Sequence, residues 1–272
     1  MKLLIADDME GITGVVSWDH VNSTHSEYGR FRKIMTAEVN AAIAGAVKAG
    51  VEEIVVADGH SSARNIMIEE LDSHARLNSG SPSPSSMVQG IEAGVDAVFL
   101  IGYHARAGTP KAILAHTWSD SRVINVWLND RLVGEIGLNA SLCGYYGAAV
   151  LLLSGDQAAC AEAAEWVPGI ETVAVKKASG FQAAECLPPS VSQARIREAA
   201  ERAILNFRAG KGAQPLKTPA PVKITVELTT PKMADSACLL PGAVRLDGRR
   251  VEVQAADMPS AFRAFRALVE LA

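Results

Sequence analysis

Short runs of apolar residues, each of strand length, alternate along the chain with stretches whose apolar positions fall at helical spacing. Residues 2–6 form the first run and end in Asp7-Asp8. Phe31, Ile34, Met35, Ile43 and Val47 then mark one face of a helix over 27–49, and Gly50 supplies its stop. Residues 54–57 predict a second buried strand and 95–101 a third, reached through a short helix around 87–92. That order predicts an α/β fold, a mostly parallel sheet with helices on both faces and right-handed crossovers. Further on, 122–128 and 150–153 read as strands, Asn129-Asp130 as a turn, and 135–146, 157–166 and 192–207 as helices.

Pro215, Pro219 and Pro221 interrupt this pattern, because prolines so closely spaced fit neither a helix interior nor a central strand. Beyond them residues 222–228 alternate apolar and polar, and 243–246 faces 251–254 across Asp247-Gly248, a β-hairpin signature. A helix over 258–271 closes the chain. The expected organisation is a catalytic α/β domain over 1–214 and a smaller C-terminal α+β portion over 215–272, packed separately or as part of the same domain. Ser79-Gly80-Ser81-Pro82-Ser83-Pro84-Ser85-Ser86 reads as a surface loop placed to border a site.

Composition narrows the classes. With 272 residues, 49% of them hydrophobic and 21% charged, the chain has ample material for a core, which excludes disorder. Its 26 Lys and Arg against 30 Asp and Glu leave a net charge of −4, so no basic surplus exists to bind nucleic acid. No apolar run approaches the ~18 residues of a membrane span, and residues 1–8 turn acidic too soon for a signal-peptide core, so a soluble cytoplasmic protein is expected. Cys143, Cys160, Cys186 and Cys238 are widely spaced and read as buried free thiols rather than disulfides or a thiolate zinc site.

The chemistry gathers at strand ends. The first three strands lead into Asp7-Asp8-Met9-Glu10-Gly11, Asp58-Gly59-His60 and Gly102-Tyr103-His104, all at one end of a parallel sheet, where such sheets bind ligands. Asp8, Glu10, His60 and His104 offer two carboxylates and two imidazoles, a donor set that suits Zn, Mn or Co. Asp8 and Glu10 are two apart, so an extended stretch projects both to one side, and a divalent cation would relieve their repulsion. The competing reading makes Asp8 a solvated turn residue and Glu10 a helix cap. A dehydrogenase is excluded, since no Gly-x-Gly-x-x-Gly turn follows the first strand and these carboxylates would repel a pyrophosphate.

Four segments, Asp8-Met9-Glu10-Gly11-Ile12-Thr13-Gly14, Gly59-His60-Ser61, Gly102-Tyr103-His104-Ala105-Arg106-Ala107 and Asn129-Asp130-Arg131-Leu132-Val133-Gly134-Glu135-Ile136-Gly137-Leu138-Asn139-Ala140, together resemble the DppA-type D-aminopeptidases of peptidase family M55. Order and spacing hold over nearly the whole chain; 169–217 carries no diagnostic motif. The resemblance implies two zinc ions per subunit, with Asp8 bridging them, Glu10 and His60 completing one, and His104 and Glu135 the other. It also implies a catalytic role for His116. By themselves Glu135 would read as a first-turn residue favoured by the helix dipole, and His116 as a core histidine satisfied by a backbone carbonyl. His20, His25 and His74, in polar stretches, are expected at the surface. The implied activity is hydrolysis of small peptides with an N-terminal D-residue, such as D-Ala-D-Ala, by a hydroxide bridging the metals, in a homodecamer. Two rivals stand beside it. One is a dinuclear metallohydrolase of another amide or a phosphoester, with Arg106, Lys111 and Arg131 as the nearest anion-binding candidates; the other is a non-catalytic peptide-binding protein of a transporter.

Overall fold

The computed structural model describes residues 1–272, and in it the first apolar run is strand β1 (Lys2–Asp7). Leu3, Leu4, Ile5 and Ala6 are fully buried there, as expected of a strand covered on both faces. A short helix α1 (Trp18–Val21) and the long α2 (Tyr28–Lys48) lead to β2 (Glu53–Asp58) and β3 (Ala75–Asn78). The chain returns as β4 (Ala97–Tyr103), makes an excursion through β5 (Val123–Leu128) and β6 (Arg131–Leu132), and comes back by α3 (Glu135–Tyr145) to β7 (Ala149–Asp156). Then follow α4 (Gln157–Trp166), β8 (Glu171–Ala178), β9 (Ala184–Cys186) and α5 (Pro189–Arg208). The last part holds β10 (Val222–Leu228), α6 (Pro231–Ala237), β11 (Val244–Arg245), β12 (Arg250–Ala255) and α7 (Met258–Leu271).

One sheet has the order β3-β2-β1-β4-β7-β8-β9 and is parallel except for β9, which runs antiparallel to β8. Helices α2 and α5 pack on each other, as do α3 and α4. Right-handed crossovers that run in opposite directions from β1 and from β4 put these pairs on opposite faces. The fold class is therefore the one the sequence predicts. The second sheet, β11-β12-β10-β5-β6, is antiparallel and includes the expected hairpin, with Val244 opposite Glu252. Because β10 pairs with β5, this sheet takes strands from both sides of residue 215.

Some local expectations change. The helix predicted around 87–92 is instead two 3₁₀ turns, Ser86–Val88 and Ile91–Ala93, because Gln89 leaves helical geometry between them. Strands β3, β8 and β9 and helix α6 were not foreseen, since their segments lack a clean period. All four cysteines are free, with Cys143 and Cys160 buried but Cys186 and Cys238 only half-buried at element ends.

One topological feature places everything that follows. From β1 the chain winds outward through β2 and β3, then turns to β4 and β7 on the other flank of β1. The reversal falls between β1 and β4, where loops leave neighbouring strands in opposite directions and open a crevice at their carboxyl ends.

Candidate metal centre

Asp8 stands at that crevice, its N–H donating to the Ile101 carbonyl of β4 at 2.8 Å. The chain bends at Met9 rather than running on extended, yet Asp8 and Glu10 still aim at a common point, within 4.8 Å of His104 and of each other. No helix begins at Glu10, so it is not a cap. His60 leaves β2 and is framed by Asp58, which accepts from the Asn65 and Ile66 N–H groups while the Asn65 amide donates to the His60 carbonyl at 2.7 Å. His104 leaves β4. Glu135 is the first residue of α3, and its Oε1 accepts the Trp118 N–H at 2.6 Å, so it is both a first-turn residue and part of the cluster.

The donor atoms lie at the separations of a ligand shell. His60 Nδ1 is 3.1 Å from Glu10 Oε2 and 3.4 Å from Asp8 Oδ1. His104 Nε2 is 3.3 Å from Asp8 Oδ2 and 3.4 Å from Glu135 Oε1. Atoms about 2.0–2.1 Å from one tetrahedral zinc stand about 3.3 Å from each other. Asp8 thus turns one oxygen to each histidine.

Both imidazoles have one nitrogen committed to the backbone. His60 Nε2 sits 3.0 Å from the Val21 carbonyl, and His104 Nδ1 sits 3.0 Å from the Ala105 carbonyl. A carbonyl only accepts, so each of those nitrogens carries the proton and the other presents a lone pair to the carboxylates. His104 Nε2 is buried and aligned for a hydrogen bond with neither neighbouring carboxylate. With both rings neutral, five ionisable groups, none more than 9% exposed, therefore converge lone pair to lone pair. Such an arrangement requires positive charge at its centre, and a divalent cation fits it.

Without a metal, protons held on the histidines supply that charge. Burial alone would lower the His60 imidazole, but the carboxylates of Glu10 and Asp8 outweigh it and hold the group well above its usual range. His104 is raised against the same opposition by Glu135 and Asp8. Burial and the neighbouring Glu10 raise Asp8. Behind it, burial pushes Asp7 well up, with Asp58 and Asp8 adding to the effect, and neither of its oxygens has a partner.

His116 joins the cluster from the segment after β4. Its Nδ1 lies 2.8 Å from the Leu114 carbonyl, its ring stacks on His104 at 4.0 Å, and its Nε2 is 3.9 Å from Glu135 Oε1. The backbone carbonyl of the core-histidine reading is thus present, but the opposite nitrogen faces the centre. His104, His116 and Glu135 also form a group whose donor atoms lie within 4.8 Å of one another. Of the remaining histidines only His74 is exposed; His20 and His25 are half-buried, the former stacked on Phe31 at 4.1 Å.

A cavity of about 790 Å³ opens over Glu10, His60, His116 and Glu135. The Ser/Pro loop forms one wall through Ser81, Pro82 and Pro84, so it does border the site. Arg266 of α7 fixes that wall by donating to the Ser83 and Pro84 carbonyls, and Arg263, one turn away, faces the same space. Arg106, Lys111 and Arg131 do not line it; Arg131 lies over the Trp166 ring at 3.7 Å and pairs with Glu165. Sequence reasoning missed Arg263 and Arg266, whose only signal was two cations at i, i+3 on the closing helix.

A sequence model of the peptidase M55 family, described as D-aminopeptidase, matches residues 1–267. The chain is 38% identical over 273 residues to a D-aminopeptidase of Bacillus subtilis (strain 168), covering 100% of this chain and 98% of that one. A solved structure, the Zn-dependent D-aminopeptidase DppA from Bacillus subtilis, a self-compartmentalizing protease, superposes with a TM-score of 0.95 at 38% identity, over 100% of this chain and 97% of its own.

Proposed function

The chain belongs to the peptidase M55 family, and from that premise we propose that it is a zinc-dependent D-aminopeptidase that removes the N-terminal D-residue of small peptides such as D-Ala-D-Ala. The observation that carries this reading is the convergence of Asp8, Glu10, His60, His104 and Glu135 at separations of 3.1–3.4 Å, with the two histidine N–H groups pinned to carbonyls. Asp8 would be shared by two zinc ions, with Glu10 and His60 holding one of them and His104 and Glu135 the other. The donor chemistry also admits Mn or Co. When bound, such a metal pair polarises a carbonyl and activates water near neutral pH.

The chain's own residues do the rest. The cavity is of a size that encloses a short peptide, and its walls hold that peptide over the cluster. His116 keeps its Nδ1 proton on the Leu114 carbonyl, so Nε2 is the atom that takes a proton at the attack and returns it to the leaving amine. One observation favours a second role for this residue: its group with His104 and Glu135 would let Nε2 complete the ligand set on that side.

Self-association into a closed assembly of ten copies extends the same reading, supported by the self-compartmentalizing relative. The free state of all four cysteines agrees with a reducing, cytoplasmic location, and no helix is long and apolar enough to cross a membrane.

The test is release of D-alanine from D-Ala-D-Ala by zinc-loaded protein, beside L-Ala-L-Ala and a chelator-treated control. Cleavage of the D,D form alone, lost on chelation, is expected. Two bound zinc ions without cleavage of either isomer would move the substrate to another amide or to a phosphoester.

A further inference from the structure

The segment after Asp8 arches over the carboxyl edge of the parallel sheet, from β4 toward β8, and it carries Glu10. Two turn bonds hold it internally, Ile12 N–H to the Met9 carbonyl and Val15 N–H to the Ile12 carbonyl, both at 3.2 Å. Gly11 N–H reaches the Gly102 carbonyl at 2.7 Å, and the Thr13 hydroxyl donates to the Leu187 carbonyl at 2.6 Å. The carbonyls of Glu10, Ile12 and Val15 all point inward to a single group, the ammonium of Lys176 on β8, at 2.5, 2.9 and 2.7 Å.

Lys176 is 2% exposed, and no carboxylate lies within ion-pair range of it. A buried ammonium costs several kcal/mol unless its protons are satisfied. Here three N–H donors meet three carbonyl acceptors, so the group is satisfied only by the arch that bears Glu10. An apolar side chain could fill the same volume without that cost, but it would leave the Glu10 and Val15 carbonyls unpaired and the Ile12 carbonyl with only the Val15 N–H.

We infer that Lys176 is a positioning residue that fixes Glu10, and through it the Glu10–His60 half of the metal set, while leaving the His104–Glu135 half to β4 and α3. The inference rests on the assignment of those two halves above. No step of the reaction passes through Lys176 itself.

Zinc affinity in a competing-chelator titration tests it, because the readout is binding rather than turnover. Wild-type protein should bind two ions per chain; failure to do so would refute the metal reading, and this inference with it, before any variant is made. In Lys176→Met one ion should bind as in wild type and the other about ten- to a hundredfold more weakly. Lys176→Gln, which keeps two donors but no charge, should show the same split if the Met variant does not fold. Ile204→Ala, a cavity in buried α5 that lowers thermal stability without touching the arch, should bind both ions with unchanged affinity. Equal weakening of both ions in the Lys176 variants, or no weakening, would overturn the proposal.

Discussion

Replacing Gly11 by Ala should dismantle the metal set from a position that carries no ligand. An added Cβ would lie 2.0 Å from the Tyr103 carbonyl oxygen, 2.4 Å from Gly102 C and 2.5 Å from the Gly102 carbonyl oxygen. All three are backbone atoms of β4, so no side chain can rotate away. Ordinary contact begins near 3.4 Å, and the arch must therefore withdraw from β4 by on the order of 1 Å. The arch holds Glu10 and abuts Asp8, whereas His104 directly follows β4, so that movement separates ligands that now stand 3.3 Å apart. Metal sites tolerate deviations of only about 0.2 Å. Overpacking of this kind costs roughly 1–3 kcal/mol, a loss of a few to about 10 °C in Tm, so the variant should still fold. Zinc per chain after dialysis, measured by elemental analysis beside calorimetry, reads the outcome: fewer than two ions on a folded protein. Gly102→Ala attacks the same contact from the other side, its Cβ meeting the Asp8 carbonyl oxygen at 2.2 Å, and should lose metal likewise. A folded Gly11→Ala protein holding two zinc ions with wild-type affinity would refute the reasoning.

Asp8→Ala should lose both ions, since one oxygen faces each histidine; retention of either with normal affinity, by elemental analysis, argues against a shared ligand. His116→Ala should keep both ions while kcat falls about 10²–10³-fold; metal lost together with turnover would instead make His116 a ligand. Glu38, buried beneath the arch, has its carboxyl pushed up to about 7 by burial, against bonds from Ser192 and Thr13. Its folded-state value thus lies above the usual 4.5, so its contribution to stability is present at low pH and lost as pH rises through 7. Ionised, it costs about 3 kcal/mol, and Glu38→Gln should gain a Tm advantage that grows between about pH 5 and pH 8 in metal-free protein. An advantage that shrinks over that range would reverse the assignment.

Much of the site is legible because its ligands sit at predictable places. Asp8, His60 and His104 each follow a strand end by one or two residues, and a parallel sheet delivers all such ends to one edge. Glu10 belongs to the same local segment as Asp8. Glu135 and His116 entered only through resemblance to a family, because the excursion between β4 and β7 that brings them back has no local signature of its direction. The polar spacing of His20 and His25 suggested surface residues, yet both are half-buried, His20 by stacking on Phe31 of α2.

The local pattern of residues 1–272 thus determines the central strands β1, β2, β4 and β7, their crossovers and the edge where carboxylates and imidazoles gather, because period and turn chemistry are properties of neighbouring residues. The tertiary structure alone decides the rest. The reversal between β1 and β4 selects which strand ends become neighbours. Lys176, 166 residues from Glu10, finds its carbonyls only when β8 lies beneath the arch. Arg266 meets the Ser/Pro loop across 183 residues, so the cavity wall exists only when α7 docks. Contacts between parts so distant in sequence are set by how whole layers pack, and no local pattern encodes them.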